Sequence, residues 1–210
     1  MLTSEVPTGA PRPQQAQRAT TDAPACLDSR AATHARIEEV CREWRDRVLD
    51  SVVNAVTIAT QASLAYIHVF EPGTNELAVR AHRGLRAPML EFLNHSECQQ
   101  LTPCAKALEA GRRIIVLGAV KKQMSVNAPA LNYLFARGGR AVQATPLLGG
   151  LGVPIGVLST HYRTRYELDL FALIMIDRAA QQASSIIEWH RNRFQRMTNL
   201  PGSPGFIKRN

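Results

Sequence analysis

Cysteine is sparse in this 210-residue chain, and its spacing fits no metal site. The four cysteines are Cys26, Cys41, Cys98 and Cys104; none forms a CxxC, and no His or Cys pair has zinc-ligand spacing. Four in a chain of this size do not make a disulfide scaffold, so a reducing cytoplasm is the simplest setting. No apolar h-region opens the sequence, so no secretory signal is expected. No apolar run approaches the roughly 18 residues that span a bilayer, so no membrane contact is expected. A glycine cluster does occur at Gly149-Gly150-Leu151-Gly152. A phosphate loop must feed a helix N-terminus, and here the next element reads as a strand, which excludes that use.

What is present fits one globular domain with chain left over. The sequence is 45% hydrophobic and 20% charged, ordinary for a folded protein. Its formal charge of +8 permits contact with an acidic partner and says little about fold.

Residues 1–29 hold Pro7, Pro11, Pro13 and Pro24 among Ser, Thr, Gln and Ala, and read as a disordered arm. Residues 30–194 carry the regular patterning. Residues 195–210 read as a basic, flexible tail in which Pro201, Gly202, Pro204 and Gly205 forbid a helix. Ile37, Cys41, Trp44, Val48, Val52, Ala55 and Ala59 step by three or four residues, one stripe of a long helix over about Ala32–Ala59. Arg42, Glu43, Arg45, Asp46 and Arg47 would form its solvated face. Leu170, Leu173, Ile176, Ala180, Ala183, Ile187 and His190 predict a second long helix over about Glu167–Arg193.

Five or so strands lie between them: Leu64–Phe70, Glu76–His82, a short edge Arg113–Leu117, then a hairpin of Arg140–Leu148 and Val153–His161. Thr102-Pro103-Cys104 starts a short helix with a hydroxyl cap and Pro at its first position, and Gly111 ends it. Asn127, with Pro129 and Gly138, predicts another.

Side chains alternate across a strand. Ala65, Ile67 and Val69 share one side of the first strand, and Tyr66, His68 and Phe70 the other. Val142 and Ala144 oppose Gln143 and Thr145; Leu158 and Thr160 oppose Ser159 and His161. Each strand thus has an apolar side suited to the long helices. Each also has a side bearing aromatic, amide, hydroxyl or imidazole groups rather than the Lys and Glu of a solvated face. Such groups at adjacent positions are what an enclosed polar site uses.

Three stretches resemble the GAF domain family, small-molecule sensory modules of bacterial signalling proteins. They are Arg140-Ala141-Val142-Gln143-Ala144-Thr145-Pro146-Leu147 with Gly156-Val157-Leu158-Ser159-Thr160-His161, then Ala78–Leu85, then Pro103–Leu108 with Gly111–Val116. The chain departs from the family pattern at Ala105, at Tyr66-Ile67-His68-Val69 and at Leu117-Gly118-Ala119-Val120. The resemblance implies an α+β fold: an antiparallel sheet of five or six strands, long N- and C-terminal helices on one face, and short helices and loops roofing a ligand pocket on the other. It does not name the ligand. The cyclic-nucleotide signature of the family and the cysteine setting of its tetrapyrrole binders are both absent.

The expected ligand-binding set is Tyr66, His68, Phe92, Cys104, Gln143, Thr145, Ser159 and His161, around an unidentified small molecule and no assigned cofactor. The expected output is a homodimer through the long helices or a partner signalling protein, with the segments Asn94–Cys104 and Gly118–Asn127 ordering over the ligand. Nucleic acid is not an expected partner. Two other readings stay open. In one, Cys104 is a thiol sensor whose pKa falls at the helix start, with Cys98 as resolving partner or with His68 and His161 as metal ligands. In the other, the chain is a basic scaffold with an empty pocket. No enzyme is expected: Ser159 and His161 are two apart on one strand face with tips running parallel, and no carboxylate partner is evident.

Overall fold

A helix of 38 residues, α1 (Ala23–Thr60), begins the part of the chain that the structure describes. This computed structural model describes residues 23–71, 76–94, 102–117, 141–163 and 169–198. After α1 come β1 (Leu64–Phe70), β2 (Leu77–Arg83), α2 (Ala87–Asn94), α3 (Pro103–Ala110), β3 (Ile114–Leu117), β4 (Ala141–Leu148), β5 (Pro154–Tyr162) and α4 (Leu170–Thr198). The strands form one antiparallel sheet in the order β2-β1-β5-β4-β3. This matches the expected α+β architecture, with β3 on the edge. α1 takes in residues assigned above to the N-terminal arm, and α4 runs past the expected boundary at 194. Residues 1–22 and 199–210, Cys98 and the helix expected from Asn127 lie outside the described residues.

α1 ends where Gln61 takes a left-handed φ of 53° and Ala62 N–H donates to Thr57 O at 3.1 Å. Ser63 N–H then donates to His161 O at 2.8 Å, which starts β1 against β5. α3 is capped as its sequence dictates. Thr102 Oγ1 accepts from Ala105 N–H at 3.2 Å, and Gly111 closes the helix at φ 60°.

α1 and α4 cover one face of the sheet. Leu49, Val52, Val53 and Val56 of α1 meet Ile176, Ala180, Ala183 and Ile187 of α4 over Ala65, Ile67, Val69, Leu147 and Leu158. The expected α4 stripe is the buried one from Ile176 onward; Leu170 is exposed. The α1 stripe is displaced. Ile37, Trp44 and Ala55 are exposed, while Leu49, Val53 and Val56 point inward. Among the described side chains of α1, burial starts at Arg45, because only the half beyond it has the sheet beneath. Arg45, expected on the solvated face, is 2% exposed.

The opposite face is roofed by α2 and α3. Met89 and Leu93 of α2 and Cys104 and Ala107 of α3 pack on Tyr66, Ala144 and Val157.

Candidate functional site

The roof face gathers polar side chains from three elements. Tyr66 and His68 come from β1, Ser159 and His161 from β5, and Cys104 from the first turn of α3. Pairing of Tyr66 with Ser159, and of Ser159 with Ala144, sets them in one row across the sheet. All five are buried.

They bond to one another. Ser159 Oγ lies 3.1 Å from His161 Nε2, which lies 3.3 Å from Tyr66 OH. Tyr66 OH lies 3.6 Å from Cys104 Sγ. Ser159 and His161 therefore do turn toward each other, contrary to the parallel tips expected from their spacing; the imidazole leans along the strand to reach the hydroxyl. The His68 and Tyr66 rings stand nearly perpendicular, centroids 5.2 Å apart at 84°, and His68 Nε2 is 3.2 Å from Leu93 O in α2. The imidazoles of His68 and His161 flank the Tyr66 ring. Phe92, half-buried, packs on the edge of the cluster.

Burial sets the protonation of these groups. It lowers His68 to about 4, against a weaker opposing effect of the Leu93 carbonyl. It lowers His161 to about 3. It raises the Cys104 thiol, and that outweighs hydrogen bonds from Tyr66 and Ser159 that act the other way. The thiolate expected at the start of α3 is thus disfavoured: desolvation beats the helix terminus. The cluster is uncharged at neutral pH. Among the described residues, no group of three His, Cys, Asp or Glu side chains is placed to hold a metal ion.

Gln143 and Thr145 are on the other face. Leu147 of the same strand belongs to the core under the helices, and alternation carries Thr145 and Gln143 to that side with it. Ala144, expected to face the helices, instead packs under Cys104 and Ala107. The expectation fails because both faces of β4 are buried, so polarity no longer marks which side is which.

Thr145 Oγ1 accepts from Gln143 Nε2 and from Arg113 Nε, each at 3.4 Å, and Arg113 also pairs with Asp177 of α4. Thr145, Arg113 and Asp177 border a groove of about 770 Å³ between β4 and α4, also lined by Glu188, which accepts from Gly150 N–H at 2.6 Å. Neither Arg113 nor Glu188 was singled out from the sequence. The glycine cluster is a hairpin turn, as expected, with Gly149 N–H donating to Val153 O at 2.9 Å.

A second set missed from sequence sits at the end of β1. Glu71 Oε1 takes Arg80 Nε at 2.6 Å and Arg45 Nη2 at 3.5 Å, while Arg191 of α4 donates to Phe70 O. Both long helices thus hold the strand that carries Tyr66 and His68.

No protein-family model matches the chain, and no curated protein matches it. Solved structures do. The GAF domain of a phosphoenolpyruvate-protein phosphotransferase from Coxiella burnetii superposes with a TM-score of 0.59 at 14% identity, covering 78% of this chain and 97% of that one. The blue-light absorbing form of the PixJ GAF domain from Thermosynechococcus elongatus gives 0.53 at 14%, covering 75% and 93%. A type II free methionine-R-sulfoxide reductase from Thermoplasma acidophilum gives 0.54 at 10%, covering 71% and 96%. The fold is GAF-like. It hosts both sensory domains and an enzyme, so function rests on the site.

Proposed function

We propose that this GAF-fold chain is a sensory module that binds a small molecule on the roof face of its sheet and signals through α1 and α4. The observation that carries this reading is the buried Ser159–His161–Tyr66–Cys104 chain, with His68 beside it. A solvated sheet face would carry charge, and a core built for packing alone would not link hydroxyl, imidazole, phenol and thiol in one row. The binding set is Tyr66, His68, Phe92, Cys104, Ser159 and His161. Gln143 and Thr145 leave it, because they face the helices.

The route to the helices runs along β1. His68 and Phe70 share a face of that strand, and the Phe70 carbonyl and Glu71 are held by Arg191 and Arg45. A ligand that shifts β1 by a fraction of an ångström changes how α1 and α4 are gripped, provided it binds two arrangements unequally. The exposed apolar residues Ile37, Val40, Trp44 and Trp189 offer the helix pair to a second copy or a partner signalling protein.

The reading is of binding rather than catalysis. An imidazole held near 3 is a poor general base, and no described carboxylate orients it. Among the described residues no helix is long and apolar enough to cross a membrane; a cytoplasmic setting is part of the proposal. Native mass spectrometry of protein purified from its own host tests it. The expected result is a retained small molecule that Ser159→Leu expels. A bare chain in both cases, with no thermal shift from the host's metabolite extract, would leave only a scaffold.

A further inference from the structure

On the roof face the buried polar groups satisfy one another, with one exception. His68 Nε2 faces the Leu93 carbonyl oxygen at 3.2 Å. A carbonyl only accepts, so Nε2 carries the ring proton and Nδ1 is a bare lone pair. That Nδ1 is buried and, among the described residues, has no hydrogen-bond partner. Native proteins rarely leave such an acceptor empty.

Its surroundings narrow what could fill it. The Tyr66 ring stands at right angles to the His68 ring, and Met89, Leu93, Phe92, Val79 and Val157 supply the apolar walls of this face. Among the described residues Arg45, on α1, is the only buried Asp, Glu, Lys or Arg, so none is buried on this face. Near neutral pH neither His68 nor His161 becomes a cation, since burial holds them at about 4 and about 3. A carboxylate or phosphate would set its own lone pairs against Nδ1 with no described cation to receive its charge. An ammonium would lose its water with no counter-ion.

We infer that the ligand is an uncharged molecule with an N–H or O–H, and that His68 Nδ1 accepts that hydrogen. This rests on reading the roof face as the ligand site. His68 is then the specificity-determining residue: its single open valence selects a donor over an isosteric acceptor.

Three probes of similar size test this by nitrogen-15 NMR of the histidine rings in the full chain. Indole carries an N–H, benzofuran has oxygen in its place, and benzoate is an anion. Indole should move His68 Nδ1 toward the shift of a hydrogen-bonded nitrogen and bind about five-fold more tightly than benzofuran, the worth of one ordinary hydrogen bond. Benzoate should do nothing. His68→Phe should abolish the preference for indole; if that variant does not fold, the comparison of probes on the unaltered chain stands alone. Benzofuran equal to indole, or benzoate tighter than both, overturns the ligand class while the ring signals of His68 and His161 still report an occupied site. Zinc chloride moving Nδ1 where indole does not overturns it in favour of a metal. No probe moving the ring signals of His68 or His161 removes the pocket reading and this inference with it.

Discussion

Arg45 of α1 sets its Nη2 3.5 Å from Glu71 Oε1, the same oxygen that Arg80 Nε holds at 2.6 Å. Arg45 Nε also pairs with Asp46 at 2.7 Å, and the whole side chain is 2% exposed. A guanidinium so enclosed fills space as well as carrying charge. Arg45→Ala removes both and should cost roughly 2–4 kcal/mol. Arg45→Met keeps the volume and leaves Glu71 paired with Arg80, so it should cost less than about 1.5 kcal/mol. Urea unfolding of both variants checks this; equal losses would show that charge, not packing, dominates.

Stability should fall with pH through the two roof histidines. In the unfolded chain each titrates near 6.5, and in the folded chain at about 4 for His68 and about 3 for His161. Between those limits the unfolded state binds protons that the folded state refuses. The contribution is therefore complete above about 6.5 and is lost as the pH drops toward 4 and then 3, at roughly 1.4 kcal/mol per pH unit per histidine below about 5.5. Urea midpoints at several pH values should show this slope halved in His161→Gln. An unchanged slope would mean His161 protonates freely in the folded state.

The strands and both long helices were legible because their periods are strong. β1 was legible face by face: Ala65, Ile67 and Val69 meet the helices, and Tyr66 and His68 meet the roof. β4 was not, since small Ala144 and polar Gln143 are both buried and only register distinguishes their sides. Arg45 was hidden for a related reason: a charge in a mixed-charge run reads as solvated unless its partners, here Glu71 and Asp46, are known. The bond from Ser159 to His161 depends on side-chain rotation, which strand spacing does not specify.

Gly156 should tolerate no side chain. A Cβ there would lie 2.4 Å from the His68 carbonyl oxygen and 3.2 Å from Leu147 Cδ1. The backbone oxygen cannot yield without prying β5 from β1, where Gly156 pairs with Val69. Gly156→Ala should cost more than about 3 kcal/mol. Gly152, at φ 73° with nothing within 4 Å of a Cβ, pays only backbone strain, so Gly152→Ala should cost about 1 kcal/mol. Thermal melts of the pair measure the difference, and comparable losses would contradict the close approach.

Cys104 should be a silent thiol. It is buried, and burial raises its pKa. With Cys26, Cys41 and Cys98 changed to Ser, reaction with Ellman's reagent at pH 8 should track global unfolding. It should run at least about a thousand-fold slower than a free thiol, given ordinary domain stability. Fast labelling of the folded chain would revive the thiol-sensor reading.

Trp44 and Trp189 should decide the association state. Their rings lie 5.0 Å apart across α1 and α4, yet they remain 45% and 48% exposed. Arg193 lies over the Trp189 ring at 5.6 Å. Ile37 and Val40 continue the apolar surface at 40% and 57% exposure. None of the four belongs to the core over the sheet. An apolar strip along a helix pair is stabilised when a second copy covers it, and a single carboxylate buried at its centre opposes that covering. Sedimentation velocity should therefore give a dimer for the unaltered chain and a monomer for Trp189→Glu, with the same far-ultraviolet circular dichroism. A monomer in both cases would assign the strip to a different protein. A dimer in both would place the contact on another face, the groove beside α4 being the next to test.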